Sequence, residues 1–189
     1  MHDYPHDDLV FSARLKQGGL LRKLNDFPAA RQIYEFLVNN YPGHPDELVA
    51  QLELANSLFA QGAGTADSAS AIFERLRDLP SAPVDLRAEA GFMWGYALAK
   101  RGQIPKAQAV YWSVVEGFLL DPAQAAKLEA KGRWWVAKAL LELAQIHEDA
   151  GRLDEAQRAY QLIIDNKLSG SAQAQAKLAR FRPAATTTP

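Results

Sequence analysis

Apolar positions recur along the chain with the period of an α-helix, in four stretches that can be aligned with one another. In each stretch the apolar pattern runs into Gly or Asn, restarts about two residues later and continues for roughly three turns. This pattern predicts two antiparallel helices joined by a tight turn. The turn residues, which tolerate the left-handed conformation that ends a helix, are Asn25, Gly62, Gly102 and Gly151.

The second helix of every copy carries one stripe of three residues at positions i, i+4 and i+7. A small residue comes first, an aromatic ring second and an aliphatic side chain third. The stripes are Ala30-Tyr34-Leu37, Ala69-Phe73-Leu76, Ala107-Tyr111-Val114 and Ala156-Tyr160-Ile163, and the small residues on the facing helices are Gly18, Ala55, Gly95 and Ala144. We expect the small residues to bring the helix axes close enough for the ring to close the gap.

Four similar hairpins predict an all-α fold in which near-identical units stack into one domain over residues 1–182. The expected repeats are 11–42, 45–80, 86–120 and 134–168, followed by a capping helix at 171–181 and a disordered tail at 183–189. About ten to fifteen extra residues precede the fourth copy. Asp121 as N-cap, Pro122 in the first turn and an alanine-rich body predict that this insertion, residues 121–131, is a helix.

The spacing of these residues resembles the tetratricopeptide repeat family. That family places a small residue at the eighth position, Gly near the fifteenth, Ala at the twentieth, an aromatic residue at the twenty-fourth and often Pro at the thirty-second, where Pro42 falls in the first copy. The resemblance implies a right-handed superhelix of antiparallel helix pairs whose first helices line a concave groove. It also implies a protein-binding scaffold without catalytic activity.

Composition narrows the classes of partner. The chain of 189 residues is 48% hydrophobic and 23% charged, which is typical of an ordered soluble protein. Its net charge of -1 provides no broad attraction for nucleic acid or an anionic membrane. The chain lacks cysteine, a secretory signal and a long apolar run, so we expect no membrane insertion and a cytoplasmic location, or a periplasmic one if a leader was removed.

Candidate groove residues occupy first-helix positions that differ among the copies. They are Arg22, Lys23, Asn56, Phe59, Phe92, Tyr96, Lys100, Gln145 and Glu148. Charge along this set runs from basic, through aromatic, to acidic, so a peptide with an apolar anchor and oppositely charged flanks would fit. The alternative is that these are ordinary solvated charges, since Lys23 and Lys100 lie near helix C-termini, where the helix dipole favours them.

The groove differs from that of one subfamily of these repeats. That subfamily captures the C-terminal carboxylate of chaperone tails with a clamp of Lys, Asn and Arg. The matching positions in this chain are Leu15, Gly19, Glu53, Glu89 and Met93. Because two of these are acidic and none is basic, we expect no binding of chaperone tails in that mode.

The tryptophans divide into two kinds. Trp94 is expected in the core beside Gly95, whereas Trp112 occupies a position that is Glu or Gln in the other copies. An apolar ring at such a position needs a cover. We favour the inserted helix together with Trp134 and Trp135 as that cover, over an exposed contact patch; a partner or a second copy of the chain is the alternative.

Catalytic and metal-binding patterns are weak. His147 replaces a leucine of the other copies and is expected to be a partly buried packing residue. His2 and His6, with Asp3, Asp7 and Asp8, could bind a divalent metal loosely, but a chain end with spare histidines often does so without a function. We therefore expect neither a catalytic site nor a cofactor.

Three functions remain at the level of sequence. The first is an adaptor that binds a peptide or protein segment, and the second is self-association through the region of Trp112, Trp134 and Trp135. The third is suggested by residues 36–45, which resemble the repeat ends of bacterial cell-envelope proteins that coordinate outer-membrane assembly. Those proteins are exported or lipidated.

Overall fold

The computed structural model describes residues 8–181, and this part of the chain is helical without strands. The helices are α1 Asp8–Lys23, α2 Phe27–Asn40, α3 Glu47–Ala60, α4 Ala66–Asp78, α5 Val84–Lys100, α6 Ile104–Val115, α7 Pro122–Ala125, α8 Ala130–Asp149, α9 Leu153–Asp165 and α10 Ser171–Phe181. A 3-10 turn, Ala63–Thr65, precedes α4, and a π-helical turn, Glu116–Leu120, follows α6. The tail expected at 183–189 lies outside the described residues.

The helices pair in chain order, and each pair packs against the next. The pairs are α1 with α2, α3 with α4, α5 with α6 and α8 with α9, and α10 packs on α9. The predicted all-α stack of helical hairpins is therefore confirmed. The cap is anchored by Ala174, which is fully buried, while Leu178 and Phe181 pack against the core from its edge.

Three of the four hairpin turns share one hydrogen-bond pattern. The turn residues Asn25, Gly102 and Gly151 have φ of 61°, 73° and 72°. In each turn the following amide donates to a carbonyl five residues back, as Asp26 N does to Leu21 O at 2.9 Å. This arrangement satisfies a carbonyl that the helix end leaves free. The turn at Gly62 differs because the 3-10 turn Ala63–Thr65 follows this glycine before α4 begins.

In the first and third hairpins the aromatic ring of the stripe lies against the glycine of the facing helix. Tyr34 and Tyr111 are fully buried, and so is the alanine that begins each stripe. A Cβ placed on Gly18 would lie 2.6 Å from Cζ of Tyr34, and one on Gly95 would lie 2.6 Å from Cε1 of Tyr111. The two glycines thus leave space for a ring in direct contact with the helix backbone.

The insertion before the fourth pair is not the single helix predicted for residues 121–131. Asp121 does cap a helix, accepting hydrogen bonds from the amides of Ala123 and Gln124, but that helix ends at Ala125. The chain then turns, buries Leu128 and enters α8 at Ala130. The carboxylate of Asp85 on α5 accepts a hydrogen bond from the backbone amide of Glu129 at 3.0 Å, so a tertiary contact fixes the start of α8.

Gly132 lies inside α8 and does not bend it. A Cβ on Gly132 would collide with the side chains of Asp85 and Leu128. This glycine is therefore required for close packing of α8 against α5 and the preceding turn.

Two adjacent glycines of α1 test the ring contact. We expect Gly18→Ala to lower the free energy of unfolding by about 1–3 kcal/mol, because the new methyl group overpacks Tyr34. Gly19→Ala is the matched control, since a Cβ there would be 4.0 Å from the Tyr34 hydroxyl. It should raise stability by about 0.5–1 kcal/mol, the usual gain from alanine within a helix. Urea denaturation measures both, and equal effects of the two substitutions would contradict the contact.

Candidate functional site

Five aromatic side chains form a continuous series across the first helices of the second, third and fourth pairs. Ring centroids are 5.7 Å apart for Phe59 and Tyr96, 6.0 Å for Tyr96 and Phe92, 5.1 Å for Phe92 and Trp135, and 4.4 Å for Trp135 and Trp134. We call these five residues the aromatic row. Contact distances of this size are those of favourable aromatic pairs, so the rings hold one another in place.

The members of the aromatic row differ in depth. Phe92 is only 6% exposed and forms the floor, which corrects its assignment as a residue that contacts a partner directly. Phe59, Tyr96 and Trp135 are half-buried, and Trp134 is 41% exposed. Phe92 is buried because it also packs against the ring of Tyr111, with centroids 5.7 Å apart.

Two lysines lie over rings of the aromatic row. Nζ of Lys100 is 5.1 Å from the centroid of Tyr96, and Nζ of Lys138 is 5.2 Å from that of Trp134. Within residues 8–181 neither ammonium group forms an ion pair. Each lysine is therefore held by a cation–π contact and remains available to a carboxylate.

The first two pairs form a separate cleft of about 440 Å³ between α1 and α3. Its lining residues are Leu15, Gly19, Arg22, Lys23, Tyr34, Val49 and Glu53. Arg22 forms an ion pair with Glu53 across this cleft, whereas Lys23 is exposed. The basic end that the sequence predicted is thus half neutralised within the chain.

Asn56 does not face a partner. It is 7% exposed, because α3 is packed by α1, α2, α4 and α5. Asn56, predicted as a groove residue, thus lies in the interior of the stack and presents little surface to a partner.

The acidic end of the predicted groove is also engaged. Glu148 accepts a hydrogen bond from the Tyr160 hydroxyl at 2.6 Å and pairs with Nζ of Lys177 on the cap at 2.8 Å. Burial raises the pKa of Glu148, but these two hydrogen bonds and the charges of Lys177 and Arg180 outweigh burial and hold that pKa below its ordinary value. Glu148 therefore attaches the cap, and its predicted role in binding stays a prediction.

Gln145, the remaining candidate on α8, is exposed. Its amide donates to Oδ1 of Asp149 at 2.7 Å, one turn along the same helix. This hydrogen bond stays within α8, and the role of Gln145 in binding stays a prediction.

Trp112 lies in a different part of the molecule from Trp134 and Trp135. It is 41% exposed and lines a cleft of about 320 Å³ together with residues of α8 and α9. The prediction that the insertion, Trp134 and Trp135 cover this ring was wrong. The insertion ends its helix at Ala125 and packs on the π-helical turn, and the other two tryptophans pack on α5.

His147 is a packing residue in the wall of that cleft. Its Nδ1 accepts a hydrogen bond from Nε of Arg152 at 2.9 Å, and Nη2 of Arg152 donates to Gln108 at 2.9 Å. Burial and the nearby Arg152 charge lower the pKa of His147 below its ordinary value. The arginine thus links α6, α8 and the turn before α9.

Metal and membrane sites were searched in the described part of the chain. No cluster of His, Cys, Asp and Glu between residues 8 and 181 could hold a metal ion. Of the amino-terminal candidates, His2, His6, Asp3 and Asp7 lie outside the described residues. Over the same range, every helix is too short or too polar to cross a bilayer.

Comparison with known proteins agrees with the geometry of the hairpins. The family described as "Tetratricopeptide repeat" matches residues 12–44 and 138–166, which cover the first hairpin and most of the fourth. These two segments match as tetratricopeptide repeats. A search of curated proteins found no significant match.

A solved structure has the same fold. It is a Podosopora anserina protein, described as a kinesin light chain, with nearly identical TPR-like repeats. It aligns with a TM-score of 0.58 and 18% identity, over 97% of this chain and 80% of that one. At this identity the likeness establishes the fold alone.

Sequence comparison between repeats missed the role of Trp134 and Trp135 in the aromatic row. Both residues precede the aligned part of the fourth repeat, because α8 begins early, at Ala130, and is the longest of the first helices. The ion pair between Lys131 and Glu89, at 2.7 Å, holds this extension beside α5. The available signal was two adjacent tryptophans at the head of a long helix.

The cap network gives a pH-dependent prediction. The pKa of Glu148 is lower in the folded chain than in the unfolded chain, where a glutamate has a pKa of about 4.3. The stabilisation by the Glu148 carboxylate is therefore present above about pH 4.3 and is lost as the pH falls through the folded pKa. We expect Lys177→Met to lower the free energy of unfolding by about 1–2 kcal/mol at neutral pH. The difference from wild type should shrink below about pH 4.

The exposed Lys127 supplies the control for this experiment, because its side chain has no ionic partner among the described residues. Lys127→Met should leave the urea midpoint unchanged. A loss for Lys177→Met that is the same at neutral and acid pH would show that the ion pair is not its cause.

Proposed function

We propose that this tetratricopeptide repeat protein is a non-enzymatic adaptor that binds a segment of another protein on the first-helix face, with the aromatic row as the main contact. Tetratricopeptide repeats generally mediate interactions between proteins. The finer proposal, that the first-helix face binds a segment with an apolar anchor, rests on the chemistry of the aromatic row.

The single observation that supports this proposal best is the continuity of the row. Trp and Tyr are enriched among the residues that dominate binding energy at interfaces, because a rigid ring buries a large area at little entropic cost. Here Tyr96 and Trp134 are partly exposed above the buried ring of Phe92. A partner would therefore meet rings that are already fixed by their neighbours.

Charge favours one class of segment. Lys100 and Lys138 border the row and lack ionic partners within residues 8–181, and Lys23 is exposed farther along the same side. The acidic residue expected at the opposite end, Glu148, is already paired. A segment with an apolar or aromatic anchor and nearby carboxylates therefore complements the face better than one with a basic flank.

Selection from a random peptide library, followed by affinity measurements, tests this function. We expect the selected peptides to combine an aromatic or large aliphatic residue with Asp or Glu. Tyr96→Ala should weaken their binding about tenfold or more, because it removes a central ring. Lys100→Ala should weaken binding less and reduce its dependence on salt.

Phe36→Ala is the matched control, since Phe36 is an aromatic residue on a second helix and is 40% exposed. Phe36→Ala should bind the selected peptides with the same affinity as wild type. Thermal melts should show that each variant folds. Peptides that bind Tyr96→Ala as tightly as wild type would refute the aromatic row as the binding site.

A further inference from the structure

The cleft beside Trp112 lies between second helices of the repeats, away from the aromatic row on the first helices. It lies between α6 and α9, with Leu143 and His147 of α8 as its floor, and its other lining residues are Gln108, Trp112, Glu155, Arg158, Ala159 and Leu162. The equivalents of Trp112 in the other repeats are Glu35, Glu74 and Gln161. An exposed tryptophan at a position that is otherwise polar marks a surface with a partner.

The apolar surface extends beyond the cleft along α6. Ile104, Gln108 and Trp112 stand at i, i+4 and i+8 and so share one face of that helix. Ile104 is 40% exposed, and Gln108 and Trp112 both line the cleft. This stripe of about two helical turns, with exposed Ile104 and Trp112 on either side of Gln108, is therefore open to a partner.

Two opposite charges border this stripe on α9. Glu155 and Arg158 both line the cleft, one turn apart. Between residues 8 and 181 neither side chain makes a hydrogen bond or an ion pair, whereas Arg31 and Glu35 of the first repeat are paired with each other at 2.7 Å. The cleft thus presents one free acid and one free base next to apolar surface.

We propose that the Trp112 cleft is a contact between two copies of this chain, related by a two-fold axis. In a two-fold interface each residue meets a different residue of the other copy, and the reverse pair forms at the same time. Glu155 of one copy then faces Arg158 of the other, twice, and each Trp112 is covered. A partner with one sign of charge would leave one of the two groups unpaired, which favours a second copy.

This surface is independent of the proposed peptide site. The aromatic row lies on α3, α5 and α8, whereas the Trp112 cleft opens between the second helices α6 and α9. A dimer formed through the cleft leaves both aromatic rows free, so peptide binding and dimerisation can fail separately.

Sedimentation velocity over a range of concentrations tests the proposal. We expect a dimer for wild type and a dissociation constant at least about tenfold weaker for Trp112→Ala. Trp134→Ala is the matched control, because that ring has the same 41% exposure on the aromatic row. It should leave the dissociation constant unchanged.

Reversing the charge of Glu155 or of Arg158 tests whether these two residues pair between copies. Glu155→Arg places four positive charges at the two-fold contact, and Arg158→Glu places four negative ones, so each variant alone should be monomeric. Mixing the two variants restores two opposite-charge pairs and should yield a heterodimer. Thermal melts of the separate variants confirm that each is folded before mixing.

Two results would overturn this inference. The first is a wild-type chain that stays monomeric up to about 1 mM, beyond the range of specific dimers. The second is failure of either variant test: Trp112→Ala dimerises with the wild-type dissociation constant, or the mixture of charge variants fails to associate. The cleft would then serve a different protein or no partner.

Discussion

The structure depends on one contact, present in the first and third hairpins: a tyrosine of the second helix packs against a glycine of the first. At Gly18 and Gly95 the contact is between a tyrosine ring and the glycine itself, since a Cβ at either position would lie 2.6 Å from a ring atom. Because the ring reaches the backbone of the facing helix, the pair is held at a fixed separation. Stacking such pairs buries both helices along one side.

The sequence predicts the features of this architecture that depend on residues close together in the chain. The positive φ of Asn25, Gly102 and Gly151 and the burial of every stripe follow from residues close together in the chain, so the spacing of apolar and turn residues predicts them. The insertion was predicted less well. Its N-cap at Asp121 is local and correct, but the start of α8 depends on Asp85, more than forty residues away, and no periodicity reports such a contact.

In the candidate site, too, the sequence predicted features that depend on nearby residues and missed those that depend on contacts between helices. Phe59 and Tyr96 were identifiable because they vary among otherwise similar repeats. The engagement of Arg22 by Glu53 and of Glu148 by Lys177 was not predictable, since each pair joins side chains of different helices. Residues at variable positions were assumed to be free, whereas the stack uses several of them to hold its own repeats and cap together. Our proposed binding surface therefore uses the charges that remain unpaired among the described residues, rather than all charges of the groove.

The most direct test of the ring contact is the NMR chemical shift of the glycine α-protons. A ring this close to Gly18, and another this close to Gly95, should displace the α-proton shifts of these residues strongly from ordinary values through its ring current. Gly117, where a Cβ would meet nothing within 4 Å, should keep an ordinary shift. Ordinary shifts at Gly18 and Gly95 would contradict the contact and with it the packing of the hairpins.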